Sequence, residues 1–149
     1  MAERIIKDND TIMESIRELV SEGKTVEISV KGCSMNPFIV EGRDQVILGP
    51  WSDCQIRKGA VVLVRDSRSI WLMHRIIARV ENTIVLQGDG NVGTKERAST
   101  DEIIALMHAV RRKGKIYSHK SICWKAYSFF WKLLNPVRGY ALAIWRRLL

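Results

Sequence analysis

The chain of 149 residues is 46% hydrophobic and carries 24 Lys and Arg against 16 Asp and Glu. That length and apolar content suit one domain with a sizeable core and exclude a disordered or disulfide-dense chain. The net charge of +8 is uneven: residues 1–102 hold all 16 acids and 14 bases, whereas residues 103–149 hold 10 bases and no acid.

A nearly balanced body therefore ends in a basic segment, which points to an anionic surface or to a solvated tail. No apolar signal core follows the N-terminus, and no run of about 18 apolar residues predicts a spanning helix. Cys33, Cys54 and Cys123 form no CxxC pair. The odd cysteine count and missing signal predict a reducing, cytoplasmic setting, with no metal site and no cofactor.

The first predicted element is a helix, because Ile12, Ile16, Leu19 and Val20 share one face. Asn9 or Asp10 can cap it and Gly23 can end it. The period then changes to alternation, with Val26, Ile28 and Val30 inward, as in a half-buried strand. Short apolar runs at Gln45–Leu48 and Val61–Val64 predict further strands. Ile70–Val80 and Thr83–Leu86 read as a hairpin turning at Glu81-Asn82. Gln87–Asn91 is a polar loop. Ile103–Val110 fits helix or strand, and the turn around Gly114 favours strand.

The C-terminal segment differs in kind. Trp124, Tyr127, Phe129, Phe130, Trp131, Leu133 and Leu134 lie among Lys125 and Lys132, and a similar pattern resumes after Pro136. This predicts two short amphipathic helices separated by Asn135-Pro136. The fold class is thus mostly β (α+β): a small barrel-like domain over residues 1–118 with one N-terminal helix. Residues 119–149 form a basic, aromatic amphipathic tail.

Three polar spots interrupt the apolar strands. Ser34 sits in a turn after a strand, where a nucleophile is exposed beside free backbone N–H groups. His74 lies in an apolar strand, and an imidazole is the side chain suited to take a serine proton. Asp89, in Gly88-Asp89-Gly90-Asn91, can orient that imidazole, giving triad logic in the order Ser, His, Asp. Each has a plain structural alternative: a turn serine, a hydrogen-bonded core histidine and a Gly-Asp turn.

The order of these blocks resembles the serine peptidase clan of signal peptidases and LexA-type self-cleaving repressors. Its Ser-Met-x-Pro motif is matched by Ser34-Met35-Asn36-Pro37, and its Gly-Asp-x-Asn motif by Gly88-Asp89-Gly90-Asn91. Gly59-Ala60-Val61-Val62 stands where the family has Gly-Asp-[Ile/Val]-Val, and Glu41–Val46 is an altered Gly-Asp block. The general-base block is His74-Arg75, as in the archaeal and endoplasmic-reticulum type, not Lys-Arg. Gly32-Cys33 replaces the Ser-Gly of many bacterial members, which leaves an oxyanion hole to backbone amides, chiefly that of Ser34. Asp101 is the nearest counterpart of the second Asp that the endoplasmic-reticulum type carries. The family's N-terminal membrane anchor is expected to be missing, because no apolar run of spanning length occurs. The roughly 25 residues before the first strand leave room for one helix, not for a helix-turn-helix.

The resemblance implies a serine endopeptidase with Ser34 as nucleophile, His74 as general base and Asp89 as its orienting acid. Met35, Pro37 and Phe38 become substrate-binding candidates, with a core role open for Met35 and Phe38. The implied partner is a peptide or protein precursor, bound as an extended strand and cut next to small residues. The alternatives are a non-catalytic relative that binds an extended peptide and a small nucleic-acid-binding regulator that uses the basic tail. For the basic tail, the readings are a peripheral contact with an anionic membrane at its cytoplasmic face, or packing on the domain. Nucleic acid is disfavoured as a partner, because the aromatics are bulky and apolar and do not line a basic stacking groove.

Overall fold

The alternation beginning at Val26 forms an edge strand, and the apolar runs after it build the interior of one curled sheet. The computed structural model describes residues 9–148, so the readings made on residues 1–8 and on Leu149 lie outside the described residues. The strands are β1 (Val26–Ser29), β2 (Asp44–Gly49), β3 (Val61–Arg65) and β4 (Trp71–Val80), then β5 (Thr83–Gln87), β6 (Glu96–Ser99), β7 (Ile103–Arg112) and β8 (Lys115–Ser118). They pair antiparallel in the order β1-β2-β7-β3-β4-β5-β6, with β8 also on β7. The helices are α1 (Asn9–Ser21), α2 (Ile122–Leu133) and α3 (Arg138–Leu148). The fold is a small α+β domain built on a half-barrel, as its sequence predicts.

Continuous apolar runs mark strands buried on both faces. On β3, Val61 and Leu63 enter one core cluster with Ile16, Phe38 and Trp124, while Val62 and Val64 enter another with Ile76, Ile84 and Leu86. On β7, Ala105 and Met107 join the first cluster and Ile103 and Leu106 the second. The β4–β5 hairpin turns at Glu81, whose φ is 51°. The segment Ile103–Val110 is strand. Burial of alternate side chains in two different cores is a demand that only the strand period meets.

Two details depart from the sequence reading of α1. Its inward stripe is Met13, Ile16 and Val20, whereas Ile12 and Leu19 are exposed. Asp10 accepts a hydrogen bond from Trp71 Nε1 at 2.7 Å, and of Asn9 only the backbone is described. Gly23, at φ 83°, ends the helix as expected, with Lys24 N–H bonded to Leu19 O at 3.0 Å.

Both tail helices form, separated by a short 3-10 turn over Asn135–Val137. Ser121 caps α2 by accepting a hydrogen bond from the Trp124 N–H at 3.2 Å. The inner side of α2 is part of the body: Trp124 meets Phe38 edge-on and Tyr127 stacks on it, each with ring centroids 4.6 Å apart. No helix among the described residues is long and apolar enough to cross a membrane.

Candidate active site

Ser34 lies on the loop between β1 and β2, and several anchors hold that loop. Buried Asp44 accepts hydrogen bonds from the Val40 N–H (3.0 Å), from Arg43 Nη2 (2.8 Å) and from Arg112 Nε (2.7 Å). Arg43 and Arg112 also donate to the Phe38 carbonyl, at 3.3 and 2.7 Å. Burial raises the Asp44 pKa, but the hydrogen bonds from Arg112, Arg43 and Val40 outweigh it and hold the carboxyl below its usual range. At the loop's start, Glu41 accepts a hydrogen bond from the Gly32 N–H at 2.9 Å. The Asn36–Pro37 peptide bond is cis.

The loop 87–91 packs directly against the backbone of Ser34. Gly90 N–H donates to Ser34 O at 2.7 Å. A Cβ on Gly88 would fall inside van der Waals contact with Ser34 O, and one on Gly90 would do so with Cys33 O. Backbone thus meets backbone at both positions, and only glycine leaves room. The same imagined Cβ of Gly88 lies 3.1 Å from His74 Nε2, so that nitrogen borders the junction between the two loops.

Ser34 and His74 line one cavity of about 570 Å³, together with Met35 and apolar residues of α1, β1, β3 and β4. The Ser34 hydroxyl and His74 make no hydrogen bond to each other, and the Ser34 N–H has no partner among the described residues. His74 is 4% exposed and its Nδ1 lies 3.1 Å from Glu96 Oε2 on β6. A carboxylate only accepts, so Nδ1 carries the proton and Nε2 presents its lone pair.

The expected Asp89–His74 hydrogen bond is not made. Asp89 is 1% exposed and takes Arg75 Nε and Nη2 on its two oxygens, at 2.9 and 2.8 Å. Successive strand residues point to opposite faces, so a carboxylate that meets Arg75 is turned away from His74. Arg75 completes its bonds on Gly59 O (2.9 Å) and Ser128 Oγ (2.8 Å). Burial lowers the Arg75 pKa, but the charge and hydrogen bonds of Asp89, with a smaller effect of Tyr127, outweigh it and raise the pKa. Burial first, then the Asp89 charge, drives the Tyr127 phenol upward, and its OH donates to Asp89 Oδ2 at 3.4 Å. Trp131 Nε1 donates to Asp89 O at 3.2 Å. Asp89 is therefore the hub that ties loop 87–91 to β4 and α2.

The other candidates divide as follows. Met35 is 4% exposed and lines the cavity, whereas Phe38 is packed between Trp124, Tyr127 and the Arg75 guanidinium. Phe38 is thus a core residue and does not line the cavity, nor does Pro37. Asp101 sits in the 3-10 turn before β7, beside a different cavity. Glu96 was not singled out from sequence. Its strand, Glu-Arg-Ala-Ser, has one apolar residue, and only the β5–β6 pairing brings it beside His74.

Family models, curated proteins and solved structures return no match to this chain. The site therefore rests on its own geometry: a serine and a histidine on one apolar cavity, with the histidine's far nitrogen held by a carboxylate.

Proposed function

We propose that this chain is a serine endopeptidase acting on an extended peptide or protein precursor, with Ser34 as nucleophile, His74 as general base and Glu96 as the residue that positions His74. The observation that carries this reading is the shared cavity of Ser34 and His74, with Glu96 holding the tautomer whose Nε2 is basic. In the reaction, Nε2 takes the Ser34 proton as Oγ attacks the scissile carbonyl. The free Ser34 N–H faces the developing oxyanion, and the imidazolium then protonates the leaving amine. Glu96 stabilises that imidazolium through Nδ1.

The cavity also suits a strand-like substrate. Among the described residues, β1 pairs only with β2 and Trp71–His74 of β4 only with β3, so both present an open edge there. Residues from both edges line the cavity. An extended peptide between them gains main-chain hydrogen bonds while its alternate side chains enter an apolar pocket.

A fluorophosphonate probe and a peptide library with small residues at the cut test the proposal. Ser34→Ala should abolish labelling and turnover, and His74→Ala should lower turnover by about 10²–10⁴-fold. Labelling and turnover that survive unchanged in both variants would remove the proposal. Because Ser34 Oγ and His74 make no hydrogen bond to each other, a peptide-binding protein without chemistry is the second reading. It predicts a library peptide that binds and is recovered intact.

A further inference from the structure

Two features of the tail remain outside the proposed chemistry. The first is the outer side of α2. At 100° per residue, Ile122, Ala126, Phe129 and Leu133 fall on one stripe, opposite the docked Trp124, Tyr127 and Trp131. Ile122, Phe129 and Leu133 are each more than 60% exposed. On α3, Tyr140, Ile144 and Leu148 form a second exposed stripe opposite buried Arg138 and Leu142. An exposed apolar area on two consecutive helices is far from the ordinary scatter of single surface residues.

The second feature is charge. Lys125 and Lys132, seven residues apart, border the outer stripe of α2 on one side. On that side a cavity of about 420 Å³ carries Arg57, Lys58, His119, Lys120 and Lys125, and no acid among the described residues lines it. The Lys132 ammonium lies close enough to Lys58 to hold the Lys58 pKa below the usual lysine range. Like charges gathered without a counter-charge lower their energy by meeting an anion.

We infer that α2, α3 and the adjoining basic cleft dock on the surface of an anionic phospholipid bilayer, with the apolar stripes at the acyl boundary and the lysines among the headgroup phosphates. An interfacial helix needs this arrangement, a strong apolar face with a cationic border and no span. A second copy of the chain is a poor occupant, because two such basic faces repel. The inner side of α2 reaches Asp89, so docking sets loop 87–91 about one helix diameter, roughly 10 Å, from the lipid. The inference is independent of the peptidase reading.

Flotation of the full chain with vesicles of phosphatidylcholine, alone or mixed with phosphatidylglycerol, tests it. The protein should float with the mixed vesicles, and added salt should release it. The Lys58→Gln, Lys132→Gln double variant should weaken partitioning by about fivefold per lysine. Phe129→Ser with Leu133→Ser should abolish flotation without lowering the melting temperature, since both side chains are already exposed. Ser34→Ala should float like wild type, which separates this outcome from any failure of the peptidase reading. Equal flotation of all variants would overturn the inference. So would a concentration-dependent dimer in vesicle-free sedimentation that Phe129→Ser disperses, or RNA binding that needs the lysines but not Phe129 and Leu133.

Discussion

Asp89 gives both carboxylate oxygens to Arg75, at 2.9 and 2.8 Å, and makes no hydrogen bond to His74. The residue that stands in a catalytic motif is therefore a structural hub, and the neighbour of the general base is its partner. His74 takes its carboxylate from Glu96 on another strand, at 3.1 Å.

This division predicts opposite behaviour in two acid-to-amide variants. Asp89→Asn leaves the buried Arg75 charge without its counter-ion and should cost about 3–5 kcal/mol in denaturant unfolding. Glu96→Gln should cost about 1 kcal/mol or less, because Glu96 is partly exposed and makes one bond here. Under the peptidase reading, Glu96→Gln should instead lower turnover by about 10²-fold or more, with peptide binding retained. The reverse pattern, with activity following Asp89 and stability following Glu96, would refute the assignment.

The glycines of loop 87–91 supply a second prediction. Gly88→Ala and Gly90→Ala each drive a methyl group into a backbone carbonyl, of Ser34 and Cys33 respectively, and should cost about 1–3 kcal/mol. Gly139→Ala on α3 meets nothing within 4 Å. It should stabilise by about 0.5–1 kcal/mol through helix propensity. Thermal melts of the three variants check the contrast.

Acid should loosen the Ser34 loop through Asp44. Its folded pKa lies below the unfolded value of about 3.9, so its contribution is fully present above that value. It is lost as pH falls through the folded pKa. Asp44→Asn should therefore destabilise the protein by about 2 kcal/mol at neutral pH, a value reduced from a fully buried pair because Arg43 and Arg112 are partly exposed. Wild type and variant should converge in stability only once the pH has fallen below the folded pKa of Asp44. Parallel stability curves across that range would contradict the role of Asp44.

The two faces of α2 should respond differently to truncation. Trp131→Ala removes a buried ring and its bond to Asp89 O, and should cost about 3–5 kcal/mol. Phe129→Ala, on the exposed stripe, should stay within about 0.5 kcal/mol of wild type in the absence of lipid. Urea unfolding of the two variants decides this.

Most strands were legible because burial imposes a period. Val26–Val30 alternates, and Val61–Val64 is continuous because it feeds two cores. The strands that escaped notice, Glu96–Ser99 and Lys115–Ser118, are short, polar and exposed in part, so no hydrophobic period marks them. The inward stripe of α1 is rotated toward Met13 because the neighbouring sheet decides which side of an amphipathic helix is covered.

The sequence by itself determined the β-rich body, its N-terminal helix, the two tail helices, the separation of a −2 body from a +10 end, and Ser34 and His74 as a candidate pair. These follow from local periodicity, composition and residue chemistry. Tertiary structure alone decided that Glu96 meets His74, that Asp89 meets Arg75, and that α2 closes over loop 87–91. Those contacts join residues 14 to 42 positions apart, and strand pairing and side-chain direction choose among carboxylates that look equivalent in the chain.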